Sequence, residues 1–356
     1  MFDLRLSPEQ LEIRDTVRDF VAKEIKPAAL RPERLEPFAK PLLAAQLGQA
    51  SRLGLRTLAL SEESGGAGAD ALTCSIVTEE LAAGDPDIAA VLAHTATLAR
   101  LLERAMTPEQ RGRLLRPFVQ DDAFHLALAQ GDAARSGSDY VLDGTAAAVA
   151  NATVAKLFLV RVEAGTLLVP RDASGVSVRE QAGDWYHGSC GEVRFANCRV
   201  PAANLAGPVG NIAPLNPALS LGIGRAAYEA ALDYSKIRVQ GGKPIIGHQA
   251  IAAKLAGIAI GLEVARGAVW RAAWASDHPE AVADRSIPDL PLQSIAEAFA
   301  PEVMLRAVKD AAECFGAMGV MRDMPLHKYV HDARVCLHSG EGSSGARLQV
   351  AAAITE

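Results

Sequence analysis

The stretch HSGEGSSGAR, residues 338 to 347, holds one carboxylate, Glu341, between glycines at 340, 342 and 345. A glutamate so placed could act as a general base if a dry pocket lifted its pKa toward working pH. It could equally be a solvated acid on a loop, and its neighbours leave both readings open. His327, His331 and His338 recur at intervals of four and seven. No Asp, Glu or Cys stands beside them in ligand spacing, so they read as helix-surface residues, and no metal site is expected. Neither a Gly-x-Ser-x-Gly elbow nor a phosphate-binding P-loop occurs. Taken alone, Arg238-Val239-Gln240 is a solvated helix end, and the glycines of SGGAGAD are a turn.

Composition narrows the field. Of 356 residues, 49% are apolar and 22% charged, an ordinary globular balance with length enough for a large core. A net charge of -6 argues against nucleic acid or an anionic membrane as the main partner. The five cysteines are scattered and show no CxxC spacing, which fits buried thiols in a reducing compartment. MFDLRLSPEQ lacks a basic stretch followed by an apolar one, and no run of about 18 apolar residues occurs. A cytoplasmic location, with no membrane partner, is the expectation.

These residues need elements to position them. Ser7-Pro8-Glu9-Gln10 and Thr107-Pro108-Glu109-Gln110 each predict a helix start: a hydroxyl cap, proline at the first position and Gln at the third. Ile13, Val17, Phe20, Val21 and Ile25 follow at helical spacing. Further helices are expected over roughly 38–53, 71–83, 86–104 and 108–119. YVLDG, KLFLVRV, GTLLVP, GVSVRE and GEVRFANCRV then read as short strands, Val193 and Phe195 alternating with Glu192, Arg194 and Ala196. From about 214 the helical period returns. In 249–273, Ile251, Leu255, Ile258, Leu262 and Val269 lie along one side. Alanine and glycine elsewhere on this helix suggest burial all round. The expected architecture is α+β: an N-terminal helical domain (1–121), a middle antiparallel β domain (122–210) and a C-terminal helical domain (211–356).

Particular strings add a resemblance. YSKIRVQGGKPIIGHQAIAAKLAGI (234–258) is similar to the pattern Y-x-x-x-R-x-Q-F-G-x-x-I-x-x-x-Q-A-I-x-x-x-L-A of the acyl-CoA dehydrogenase family. ECFGAMGVMRDMPLHKYVHDAR (313–334) resembles its Q-x-x-G-G-x-G segment running to R-D-A-R. LGLRTLALSEESGGAGAD, TEELAAGDPDIAAVLAHT and CGEVRFANCRVPAANLAG resemble further family segments in the family's order, so the similarity covers about residues 5 to 350. It implies a C-terminal four-helix bundle, FAD held at a subunit interface, α,β-dehydrogenation of an acyl-CoA thioester, and electron-transfer flavoprotein as acceptor.

In this family one subunit's β domain holds the isoalloxazine ring, and the neighbour's C-terminal helices hold the pyrophosphate and adenine. The resemblance assigns Arg238 and Gln240 to the neighbour's pyrophosphate, where a guanidinium gives forked, charge-assisted hydrogen bonds. Gly316, Ala317 and Gly319 would let the backbone approach the adenine end, with Gln249 supporting the same region. Two positions depart from the pattern: Gly241 stands for a Phe and Glu313 for a Gln.

The ring-holding half departs further. Ala129 and Gln130 stand where the T-E-P-x-x-G-S-D loop would begin, and Ser138-Asp139 follow too soon to be its end. In Gly144 to Asn151, Ala148 replaces the Trp of G-T-K-x-W-I-T-N, and Ala150 replaces its Thr. Truncating a large aromatic costs about 3–5 kcal/mol of packing, and losing a hydroxyl hydrogen bond about 0.5–1.5 kcal/mol. The family base falls on Gly340 when counted from Asp332-Ala333-Arg334, one place before Glu341. The alternative base position, near Ile212, has no carboxylate, and the CoA-binding Arg is missing around Ala213. The resemblance therefore implies a subunit of a hetero-oligomer, a tetramer with a homologous chain, that donates a flavin-tail site. Such assemblies act on bulky thioesters such as steroid side chains. A self-sufficient enzyme using Glu341 and a non-catalytic structural paralogue are the alternatives.

Overall fold

The computed structural model describes residues 5–35, 41–181, 186–282, 291–340 and 342–355. Both sequence-predicted helix starts form. The hydroxyls of Ser7 and Thr107 accept from the N–H of Gln10 and Gln110, and each glutamine side chain accepts in return from the cap N–H. In chain order the helices are α1 (Pro8–Phe20), α2 (Lys26–Ala29), α3 (Ala44–Arg52), α4 (Ala71–Ala82), α5 (Pro86–Ala105), α6 (Pro108–Gln110), α7 (Arg116–Gln120), α8 (Asn216–Ile237), α9 (Gln249–Asp277), α10 (Leu292–Cys314), α11 (Pro325–His338) and α12 (Gly342–Thr355). The strands are β1 (His125–Gln130), β2 (Asp132–Ser136), β3 (Asp139–Ala150), β4 (Ala155–Val162), β5 (Gly165–Pro170), β6 (Val176–Glu180), β7 (Cys190–Pro201), β8 (Leu205–Ala206), β9 (Val239–Gln240) and β10 (Lys243–Pro244). Part of the polar connection expected over 276–291 lies outside the described residues.

The chain divides into two compact units, one of residues 1–41, 70–89 and 214–356, the other of 42–69 and 90–213. The helices of 1–121 contribute to both units. In the first unit, α8, α9, α10 and α11 make the bundle, with α10 packed on α8, α9, α11 and α12. Helix α4 lies against α1, α8 and α9. Its two carboxylates explain the Thr-Glu-Glu-Leu string. Glu80 is buried and accepts from Arg18 at 2.7 Å and Arg225 at 2.6 Å, while buried Glu79 accepts from Arg266 at 2.8 Å. Buried carboxylates persist when paired in this way. Gly222 of α8 permits the close approach, since a Cβ there would fall 2.3 Å from the Glu79 carbonyl oxygen.

The expectation that 249–273 is buried all round is corrected. Leu255, Ile258, Leu262, Ala265 and Val269 of α9 are buried, but Ile260 is 64% and Val264 55% exposed on another face. The chain supplies neighbours for one stripe of α9, and Ile260 and Val264 lie on its surface.

The second unit is a sandwich of two four-stranded sheets, ordered β1-β4-β5-β8 and β2-β3-β7-β6. Pairing is antiparallel except for β1 and β4, which run parallel in register from Leu126 against Leu157 to Gln130 against Arg161. Phe158, Val160, Leu167 and Val169 face Val193, Phe195, Cys198 and Val200 in the core between the sheets. The alternate residues Leu157, Leu159 and Leu168 pack against Leu98, Leu102 and Phe118 of the helices. The first sheet is thus covered on both faces, which is why KLFLVRV and GTLLVP are continuous apolar runs; β7, wet on its outer face, alternates.

Candidate functional site

Helix α8 ends where Arg238 turns extended, its N–H bonded to the Tyr234 carbonyl at 2.9 Å. Two glycines then close a hairpin between β9 and β10. Gly241 and Gly242 have φ of +62° and +81°, the left-handed pair that a two-residue hairpin turn requires. A Phe at 241 would be strained there, and even a Cβ would lie 3.3 Å from the His248 ring. His248 donates through Nε2 to the Gln240 carbonyl oxygen at 2.9 Å and so ties the hairpin to the start of α9.

The end of α10 provides the opposite wall. Phe315 stacks on Tyr234, with centroids 4.2 Å apart and planes within 10°, and Gly316 at φ +61° turns the chain into the short helix Gly316–Val320. The Tyr234 hydroxyl lies 3.5 Å from the Met318 sulfur. Between these walls is a cleft of about 610 Å³ lined by Tyr234, Arg238, Gln240, Gly241, Ile245, His248, Ile251 and residues 313–318.

Arg238, Gln240, Gly241, Glu313, Gly316 and Ala317 are therefore together in one cleft. Gln249 and Gly319 are not among its lining residues. Gln249 is exposed at the first position of α9. Gly319 is buried behind the cleft, where a Cβ would meet the Ala312 carbonyl oxygen at 2.1 Å; it is a packing glycine. Tyr234, Phe315 and His248 are lining residues that motif reading did not single out. Tyr234 stands one helical turn before Arg238, a spacing that places both at one helix end.

The cleft suits a phosphate-bearing nucleotide. Arg238 offers a guanidinium, and the first turn of the 29-residue helix α9 begins at the lining residue His248, whose side chain does not cap it. The stacked Tyr234–Phe315 pair gives an apolar wall of the kind that a base or ribose packs on.

The positions that the resemblance assigns to the flavin ring lie in the second unit and differ in kind. Strand β1 passes into β2 through Gly131 alone, so no loop follows Ala129 and Gln130; a Cβ at 131 would already touch Val160 at 3.0 Å. Ser138 is exposed in the two-residue turn between β2 and β3, beside Asp139, which opens β3. Farther along β3, a bulge sits between Ala146 and Val149, and Ala148 has φ +53°. Ala148 and Ala150 present only methyl groups. Asn151, also at positive φ, is buried, and its amide nitrogen lies 3.1 Å from the Val91 carbonyl oxygen and Thr95 Oγ1 and 3.2 Å from the Leu126 carbonyl oxygen. It is a structural anchor.

Glu341 lies outside the described residues. His327 and His331 are partly buried on α11, and His338 is exposed. Among the described residues no group of three His, Cys, Asp or Glu could hold a metal, and no helix is long and apolar enough to cross a membrane.

Known proteins agree with this architecture. The family descriptions "Acyl-CoA dehydrogenase, N-terminal domain" and "Acyl-CoA dehydrogenase, C-terminal domain" match residues 7–122 and 214–354. The chain belongs to the acyl-CoA dehydrogenase family. It is 30% identical to the Bacillus subtilis (strain 168) protein named "Probable acyl-CoA dehydrogenase YngJ", over 96% of each chain. It is 29% identical to an acyl-CoA dehydrogenase of the same organism, over 93% of this chain and 94% of that one. Butyryl-CoA dehydrogenase from Megasphaera elsdenii has the same fold, with a TM-score of 0.87, 24% identity and full coverage of both chains. The family is one of FAD-dependent oxidoreductases.

Proposed function

We propose that this chain is the flavin-tail-donating subunit of a hetero-oligomeric acyl-CoA dehydrogenase. Arg238, Gln240, Gly241, Gly316 and Ala317 hold the pyrophosphate and adenine of an FAD whose ring rests on a homologous chain, and Glu313 lines the same cleft. The observation that carries this reading is the one-residue junction at Gly131, which leaves no loop to cradle an isoalloxazine after β1. The aliphatic rim of the tail cleft supports it. Ile237, Val239, Val320 and Met321, which flank lining residues in sequence, are 77%, 58%, 76% and 52% exposed. Apolar surface of this kind beside a polar cleft is what a subunit contact covers.

FAD, when bound, accepts the hydride in α,β-dehydrogenation of the thioester. The part of this chain is to bind and orient. Arg238 neutralises phosphate charge, the glycines admit the backbone to close range, and the Tyr234–Phe315 stack fixes the wall. The homologous partner supplies the base, a bulky acyl-CoA such as a steroid side-chain thioester is the substrate, and electron-transfer flavoprotein receives the electrons. Gln249 supports the cleft from the start of α9, and Gly319 through packing.

Co-purification from the native host, with the flavin-to-protein ratio of complex and isolated chain, tests this. A homologous chain in the complex and little flavin on the isolated chain are expected. Turnover by a yellow homo-oligomer of this chain would overturn the proposal and direct attention to Glu341→Gln.

A further inference from the structure

The tail cleft contains a contradiction of charge. A pyrophosphate is a dianion, yet Glu313 puts a carboxylate into the cleft lining that Arg238 shares. The charged groups around that carboxylate are few. Lys254, one turn beyond the lining residue Ile251 on α9, donates from Nζ to Glu313 and lies 3.4 Å from Asp310. Arg238 and Lys254 balance Glu313 and Asp310, so the group is neutral as a set, and without Lys254 it carries one net negative charge. Lys254 is 28% exposed and Glu313 65%, so the lysine stands partly behind the carboxylate rather than in the opening. The hydrogen bond to Glu313 holds the ammonium pKa above its ordinary value, which keeps the charge in place at any physiological pH.

We infer that Lys254 is a positioning residue for the nucleotide tail: it neutralises Glu313 and draws its carboxylate aside, so that a phosphate anion can share the cleft with Arg238. This rests on the reading of the cleft as a tail site and adds to it a specific dependence. The Glu313–Lys254 pair puts a compensated ion pair at the cleft, so that a carboxylate at 313 is tolerated only while Lys254 is present. An uncompensated like charge at this range weakens anion binding by about 10- to 100-fold. It leaves a neutral ligand of the same shape unaffected.

The test measures binding of ADP and of adenosine to the purified full chain by calorimetry, for wild type, Lys254→Met, Glu313→Gln and the double variant. Wild type is expected to bind ADP more tightly than adenosine. Lys254→Met should lose about 10- to 100-fold for ADP with adenosine unchanged, while Glu313→Gln and the double variant stay within about threefold of wild type. A purely structural role for Lys254 would lower both ligands alike and would not be rescued at 313. If Lys254→Met binds ADP as wild type does, or the double variant fails to recover, the inference is overturned while the cleft reading stands. If wild type binds neither ligand, the cleft reading falls and takes the inference with it.

Discussion

The cleft at the ends of α8 and α10 and the strands β1–β3, the regions that the resemblance assigns to flavin tail and flavin ring, depart from the family pattern to different degrees. In the cleft an arginine, a stacked aromatic pair, a tight glycine hairpin and the start of a long helix converge. On the strands the loop is gone at Gly131, and Ala148 and Ala150 offer methyl groups where the family places a Trp and a Thr. Yet Asn151, next in sequence, keeps its buried contacts to Val91, Thr95 and Leu126. Strand β3 thus leads into a buried anchor at Asn151, while Ala148 and Ala150 present only methyl groups. Fold maintenance and cofactor contact are separable demands on adjacent residues.

Variants can break or sharpen this contrast. The largest effect is expected in the cleft-bearing unit, where Lys328 and Asp332 of α11 form an ion pair with both side chains only 1% exposed. Lys328→Met removes the ammonium bonded to the buried Asp332 carboxylate and should cost about 3–5 kcal/mol in denaturant unfolding. Replacing both by Met and Leu should recover most of it. Full stability of the single variant would show that the cleft-bearing unit does not depend on the pair.

The strand-bearing unit has its own signature. Burial, with Arg56 as a second cause, lowers the His125 pKa from 6.5 to about 4. The unfolded chain therefore binds a proton between those values that the folded chain does not. The associated stability, about 3 kcal/mol, is intact above pH 6.5 and lost as pH falls toward 4. Unfolding free energies against pH should show this acid limb, to which buried His94, also lowered to about 4, adds, and His125→Asn should reduce it. The tail side responds to charge instead: Arg238→Met should weaken ADP binding about 10- to 100-fold, the loss of charged hydrogen bonds of about 1.5–3 kcal/mol. Calorimetry on the same samples should show no change for Ala150→Val. A small effect, on stability alone, is expected at Ala148. Its positive φ strains an alanine, so Ala148→Gly should leave ADP binding alone and raise stability by about 0.5–1 kcal/mol. A loss of stability would mean that the methyl group packs against something that matters.

Much of this architecture was legible in local chemistry. The capping boxes at Ser7 and Thr107 need only four residues each, and the alternation of Val193 and Phe195 declares a strand with one wet face. The parallel pairing of β1 with β4 was not legible, because alternation carries no strand direction and the partners are 30 residues apart. Neither was the open face of α9, since Ile260 and Val264 look like core until the number of available neighbours is known. Within the cleft, Arg238, Gln240 and Gly316 sit in recognisable strings. The Lys254–Glu313 pair, 59 residues apart, shows only in three dimensions. Gly319 illustrates the reverse: a motif glycine whose reason is the Ala312 carbonyl behind it rather than a ligand.

The central claim is that this chain grips a nucleotide tail but does not seat a flavin ring. The direct measurement is titration of the purified chain alone with FAD, following calorimetric heat together with the flavin absorption and fluorescence. The account predicts saturable heat matched by ADP, with an isoalloxazine that keeps the spectrum of flavin in water. One tightly held flavin per chain, with a structured absorption band and quenched emission, would contradict it.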